Sequence, residues 1–247
     1  MRKRAPSRLG GPFLRRITMD PESVDRTRYP FSIRDLTTNV TFFVGENGSG
    51  KSTLLEAIAT RCGFNPEGGS RDHRFSVEST VSELGRALSL SWLPKVSDGF
   101  FMRAESFYNF ATYIEQVSDL RAYGGVSLHE QSHGESFLAL FVNRFEQGLY
   151  ILDEPEAALS PQRQLSFLRL IHQLETSGHA QFLVSTHSPI LLAYPGAVLL
   201  SLDRAGITRV QYTDTEHYRL TKDFLACPER YFRHLFAPDD EEGGDPR

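Results

Sequence analysis

Three stretches of this chain hold residue types whose spacing suits chemistry on phosphates. The first is Gly45-Glu46-Asn47-Gly48-Ser49-Gly50-Lys51-Ser52, a complete G-x-x-x-x-G-K-S loop lying between an apolar run and a helical pattern. Its glycines let the backbone curl so that successive N–H groups face phosphate oxygens, and the helix beginning near Lys51 adds a field that favours anions. Lys51 supplies a point charge for β- and γ-phosphates, and the Ser52 hydroxyl suits Mg²⁺. Gly45 to Thr53 is therefore the expected nucleotide-binding segment. The second stretch is "LYILDEP" (149–155), which ends an apolar strand in Asp153 and Glu154. Ligands of open α/β sheets gather at that edge. Asp153 would hold Mg²⁺ through water, and Glu154 would orient and polarise a water for in-line displacement at a γ-phosphate. The third is "STH", which puts His187 at the end of another apolar strand. A histidine there is commonly structural, yet its position also suits donation to the γ-phosphate or to the water.

A fourth pattern, "HEQSH" (129–133), has the H-E-x-x-H spacing of a zinc peptidase. That chemistry needs His129 and His133 on one face of a continuous helix. Gly124 and Gly125 lie just upstream, Gly134 follows directly, and no third ligand stands out. The stretch instead divides before Ser132, with Ser132 to Ser136 opening a helix.

The elements that must position these groups are legible as patterns. Val40 to Val44 reads as a buried strand, and Leu54, Leu55, Ile58 and Ala59 share one helix face. Residues 63–74 form a polar, Gly-rich loop, 81–90 a short helix, 99–103 a buried strand and 105–117 an amphipathic helix. Residues 133–145 are again helical. Residues 160–178 carry Ser160 as N-cap, Pro161 in the first turn and Gly178 as stop. Residues 181–188 read as a strand. Residues 197–212 read as two strands joined by Asp203-Arg204-Ala205-Gly206, with short helices near 217–226 and 228–236. Apolar strands separated by helices predict a mainly parallel sheet covered on both faces.

Composition narrows the class. The chain has 247 residues, 40% of them hydrophobic, 18 of them Phe, with a formal charge of −4, which gives no support to a strongly basic nucleic-acid binder. Two cysteines, Cys62 and Cys227, make no disulfide framework and suggest a reducing compartment. No apolar run approaches the ~20 residues that span a bilayer. The basic start lacks an apolar segment of secretory type, so a cytoplasmic location is expected. Residues 1–14 and the acidic 238–247 are expected to be flexible tails flanking one domain at 15–237.

In chain order, the Walker A loop at 45–52, "SHGES" at 132–136, the Walker B strand at 149–153, Glu154, "ALSP" at 158–161 and His187 resemble the ABC-type ATPases over roughly residues 15–236. "GFFMRAESF" with "QSHGESF" looks like the small stand-alone ATPases of that type. The resemblance implies an α/β P-loop NTPase fold with an ABC-type core, plus a small helical signature subdomain at about 104–147. It implies an ATP hydrolase that binds Mg-ATP, with Lys51, Glu154 and His187 as catalytic residues and Ser52 and Asp153 at the metal. It also implies an ATP-dependent homodimer, in which Ser132, Gly134 and Glu135 of one subunit meet the ATP held by Walker A of the other. His133 stands where the usual signature has its first glycine, and Glu135 where Gln is common. No clear Q-loop glutamine follows strand 99–103, so Glu105 or Arg103 takes that place. Tyr29 and Phe31 are the candidates for stacking on adenine. Two alternatives remain. A transporter's nucleotide-binding subunit would need a separate membrane partner. A DNA-repair or chromosome ATPase would act on nucleic acid, but its relatives carry a long coiled coil, and no heptad array lies between Ser52 and Ser132.

Overall fold

The computed structural model describes residues 10–20, 22, 35–66, 68–70, 83–103 and 147–237. The helices expected at 105–117 and 133–145, the signature residues Ser132, Gly134 and Glu135, and Glu105, Tyr29, Phe31 and His129 to His133 all lie outside them. So does nearly all of the expected subdomain at 104–147.

A six-stranded sheet forms the centre. Its strands are β2 (Val40–Val44), β4 (Gly99–Arg103), β5 (Gly148–Asp153), β6 (Ala180–Ser185), β7 (Val198–Asp203) and β8 (Gly206–Val210), in the order β4-β5-β6-β2-β7-β8. The first five run parallel, and β8 returns antiparallel through a hairpin. Asp203 closes that hairpin, its Oδ1 accepting from Ala205 N at 2.7 Å and Gly206 N at 3.0 Å, as Asx turns do.

The apolar runs of β2, β5 and β6 are buried throughout because helices cover both faces. Phe43, Ile151 and Leu183 meet Leu54, Leu55 and Ile58 of α1 (Lys51–Cys62) on one face. Phe42, Tyr150, Leu152 and Phe182 meet Phe167 and Ile171 of α3 (Pro161–Thr176), together with Leu191 and Leu192 of α4 (Pro189–Leu192), on the other. As expected, Ser160 caps α3, accepting from Arg163 N, with Pro161 in the first turn. Buried Gln164, Phe167 and Ile171 then recur at helical spacing along one stripe. Two further helices, α5 (Glu216–Ala226) and α6 (Pro228–Leu235), follow the hairpin.

A second, two-stranded sheet covers the α1 side. β1 (Leu14–Met19) pairs antiparallel with β3 (Leu88–Trp92). The sequence reading differs here in two places. Among the described residues, the helix expected over 81–90 covers α2 (Glu83–Ala87) and stops there, because Leu88-Ser89-Leu90-Ser91-Trp92 alternates with the period of a strand and finds a partner in β1. Residues 13 and 14, expected in the tail, are fully buried. The cause is Gln181 of β6, itself fully buried: its Oε1 accepts from Phe13 N at 3.0 Å and Leu14 N at 2.8 Å, and its Nε2 donates to Leu14 O at 3.0 Å. Among the described residues no helix is long and apolar enough to cross a membrane.

Candidate functional site

The site sits at the C-terminal edge of the parallel strands, and strand register builds it. Arg103 pairs with Asp153, Asp153 with Ser185, and Ser185 with Phe43, forming one row across four strands. Side chains in such a row point to the same face. Phe43 belongs to the α1 face, so Asp153 and Ser185 also look toward α1. Ser52, in the first turn of α1, reaches back to meet them. Asp153 Oδ1 accepts from Ser52 Oγ at 3.1 Å and from Ser185 Oγ at 2.5 Å, while Oδ2 lies 3.5 Å from Arg103 Nε. Arg103 also contacts Glu56 of α1 at 3.1 Å.

The glycine loop enters α1 through Gly50, whose φ of 95° is left-handed, and no side chain caps the helix. The first-turn N–H groups are thus left for an anion, the usual arrangement of a phosphate-binding helix start. Gly45, at φ 147°, could not carry a side chain: a Cβ there would lie 2.4 Å from Leu202 O. Lys51 is buried, and its Nζ donates to the loop's own carbonyls, Gly45 O at 2.8 Å and Glu46 O at 2.9 Å. Burial pushes its ammonium pKa down, and the carboxylates of Glu154, Asp153 and Glu156 oppose that shift. Loop and hairpin enclose a cleft of about 1130 Å³, lined by Gly45 to Gly50, by Asp203 to Ala205 and by Glu216 and His217 at the start of α5.

Glu154 follows β5 with φ 51°, the one positive φ outside glycine among the described residues. Such a conformation costs on the order of 1–3 kcal/mol and persists only where neighbours over-determine it. Here Glu154 N donates to Ser185 O at 3.1 Å, and Glu154 O accepts from Ala157 N at 3.1 Å in the 3-10 helix Pro155–Ala158. The turn aims Glu154 at His187, with Oε1 3.3 Å from Nε2. Glu156 holds the His187 backbone, its Oε1 accepting from His187 N at 2.6 Å. On the far side of the ring, His187 Nδ1 lies 2.6 Å from His217 Nε2.

The fold therefore brings together Gly45 to Thr53, Asp153, Glu154 and His187, as the sequence led us to expect, and sets Arg103 against Asp153. Three neighbours were not anticipated. Ser185 and Glu156 adjoin recognised motifs, in "STH" and "DEPE", and that adjacency was the available signal. His217 carried none, since its role depends on how α5 docks. The donor set fits a hard divalent cation: the Ser52 hydroxyl and the Asp153 carboxylate converge beside an uncapped helix start, and Mg²⁺ prefers such oxygen ligands together with phosphates and waters.

Residues 29–92 match a family model described as "AAA domain", and residues 119–193 match one described as "AAA domain, putative AbiEii toxin, Type IV TA system". The chain is similar to the hemin import ATP-binding protein HmuV of Aliivibrio fischeri, at 26% identity over 192 residues, spanning 66% of this chain and 71% of that protein. Among solved structures, the SMC head domain from Thermotoga maritima aligns at 18% identity and a TM-score of 0.47, covering 81% of this chain and 100% of that one. The cbiO1 protein from Clostridium perfringens, part of the ABC transporter complex cbiONQ, aligns at 15% identity and a TM-score of 0.45, covering 83% and 91%. Loop geometry, parallel sheet and both domain matches describe a P-loop nucleotide-binding domain similar to those of AAA and ABC ATPases.

Proposed function

We propose that this chain is a cytoplasmic ATPase that binds Mg-ATP and hydrolyses it to ADP and phosphate, working as a homodimer with ATP held between the subunits. The observation that carries the reading is the convergence of Ser52, Asp153, Glu154 and His187 on the mouth of the uncapped loop 45–52. The loop N–H groups would take the β-phosphate, and Lys51 would exchange its bonds to Gly45 O and Glu46 O for bonds to β- and γ-phosphate oxygens. Ser52 Oγ and, through water, Asp153 would hold Mg²⁺, which would supply neutralising charge at the phosphate oxygens. Glu154 would accept a hydrogen bond from the attacking water and align it with the γ-phosphorus. As that oxygen bonds to phosphorus, the bond to the β–γ bridging oxygen breaks, ADP leaves, and the water's proton passes to Glu154 or to the phosphate formed. His187 Nε2–H would donate to the γ-phosphate. The dimer rests on the sequence "SHGES", whose Ser132, Gly134 N–H and Glu135 would contact the γ-phosphate bound by the partner.

The test is phosphate release alongside nucleotide binding. Lys51→Ala should lose ATP binding. Glu154→Gln should keep it, lose turnover by about 10²–10⁴-fold, and accumulate as an ATP-bound dimer. Wild-type protein that neither binds nor hydrolyses ATP would refute the proposal. A second reading, a transporter's nucleotide-binding subunit, has support in the similarity to the hemin import ATP-binding protein. Affinity capture of Glu154→Gln with ATP separates the two, because only a transporter subunit would bring down a membrane-spanning partner.

A further inference from the structure

The geometry points to His217 as a positioning residue: its Nε2–H donates to Nδ1 of His187 and holds that ring in the tautomer whose proton is on Nε2, beside Glu154. This rests on the hydrolase reading only for its consequence, since the contact itself is a feature of the fold.

Each ring is fixed independently. His187 is held through its backbone N–H by Glu156, just ahead of α4. His217 lies in the first turn of α5, where buried Thr215 is the N-cap: its hydroxyl accepts from Tyr218 N at 3.4 Å and donates to Tyr212 O at 2.7 Å. The Tyr212 hydroxyl in turn donates to Pro189 O at 3.0 Å, which ties the approach to α5 onto the start of α4. The two rings meet edge to face, with centroids 4.7 Å apart and planes at 62°.

A nitrogen–nitrogen distance of 2.6 Å requires one proton between them. If His187 supplied it as a neutral ring, its unprotonated, electron-rich Nε2 would lie 3.3 Å from the Glu154 carboxylate oxygen, and the two would repel. If His217 supplies it, His187 keeps its proton on Nε2, a buried atom that lies 3.3 Å from Glu154 Oε1 and makes no hydrogen bond among the described residues. Burial, with the nearby Lys51 ammonium, lowers the His217 pKa and suits its neutral form, opposed by Glu216. The consequence for the proposed reaction is a donor set before nucleotide arrives. His217 also lines the loop cleft, so its effect on turnover must be separated from any on binding.

Nitrogen-15 NMR of the nucleotide-free protein at pH 8 tests the contact whether or not the protein hydrolyses ATP. The expected result is an unprotonated Nδ1 and a protonated Nε2 on His187, with His217 Nε2 protonated and coupled to His187 Nδ1. A protonated His187 Nδ1, in the other tautomer or in the imidazolium, overturns the proposal. In kinetics, His217→Leu should lower kcat by about 10- to 100-fold, taking the range known for partners that orient metal-ligating histidines, with the KM for ATP unchanged. His217→Gln, which can still donate, should recover at least part of the loss while His217→Glu does not. A raised KM with kcat intact, or no change in either, would also overturn it. If His217→Leu does not fold, the wild-type spectrum and the Gln and Glu variants still decide. Inactive wild-type protein with the stated tautomer would refute the hydrolase reading and leave the contact standing.

Discussion

Replacing Ser185 with alanine isolates one bond at the centre of the site. Asp153 is almost wholly buried, and its Oδ1 accepts two hydroxyls, from Ser185 at 2.5 Å and from Ser52 at 3.1 Å. In the proposed Mg-ATP complex Ser52 turns to the metal, so Ser185 becomes the hydroxyl that fixes Oδ1. A hydrogen bond to a charged group contributes about 1.5–3 kcal/mol, and tenfold in affinity corresponds to about 1.4 kcal/mol. Ser185→Ala should therefore weaken Mg²⁺ by roughly 10- to 100-fold, matching the cost seen when groups that orient metal ligands are removed. The assay is the Mg²⁺ dependence of phosphate release at saturating ATP. Half-saturation should move to higher Mg²⁺ with kcat recovered at excess metal, and Ser185→Thr should stay near wild type. An unchanged Mg²⁺ curve for Ser185→Ala would refute the reasoning, because Asp153 would then be held adequately by Arg103 at Oδ2.

Gln181→Leu removes the clamp on β1 and leaves the N–H groups of Phe13 and Leu14 and the carbonyl of Leu14 without that partner. Each unsatisfied buried group costs about 1–3 kcal/mol, so urea denaturation should show a loss of about 3 kcal/mol or more, and an unchanged midpoint would count against the clamp. Burial holds the Glu156 carboxyl above the usual carboxylate range, opposed by hydrogen bonding from the His187 N–H. The folded state then binds this proton more tightly than the unfolded chain, so ionised Glu156 weighs against the fold above pH 4.5, the unfolded value, and by more as pH rises through the higher folded value. The stability of Glu156→Gln relative to wild type should accordingly improve between pH 4.5 and pH 7, whatever its constant offset. A difference that stays flat, or that falls, in thermal melts across that window would contradict the shift.

Several elements were readable before any coordinates, each through local chemistry. The loop Gly45 to Ser52 identifies itself because backbone curl, helix start and lysine lie within one turn of chain. The cap at Ser160 and the Asp203 turn are likewise encoded within a few residues, which is why α3 and the β7–β8 hairpin fell where expected. β1 and the strand half of 81–90 were missed for the opposite reason. Their alternation is short, and what makes them strands is each other, with Leu14 opposite Trp92 and Met19 opposite Leu88.

By itself the sequence determined which groups are available: a phosphate loop, a carboxylate pair ending one apolar strand and a histidine ending another. Tertiary structure decided which of them meet. Strands buried on both faces show no alternation from which register could be inferred, so only parallel pairing reveals that Arg103, Asp153 and Ser185 share a row and that this row faces Ser52. The same holds for Gln181 against β1 and for His217 against His187. These contacts join segments far apart in the chain, and their energy comes from burial and hydrogen bonds that exist only after the sheet and helices have docked.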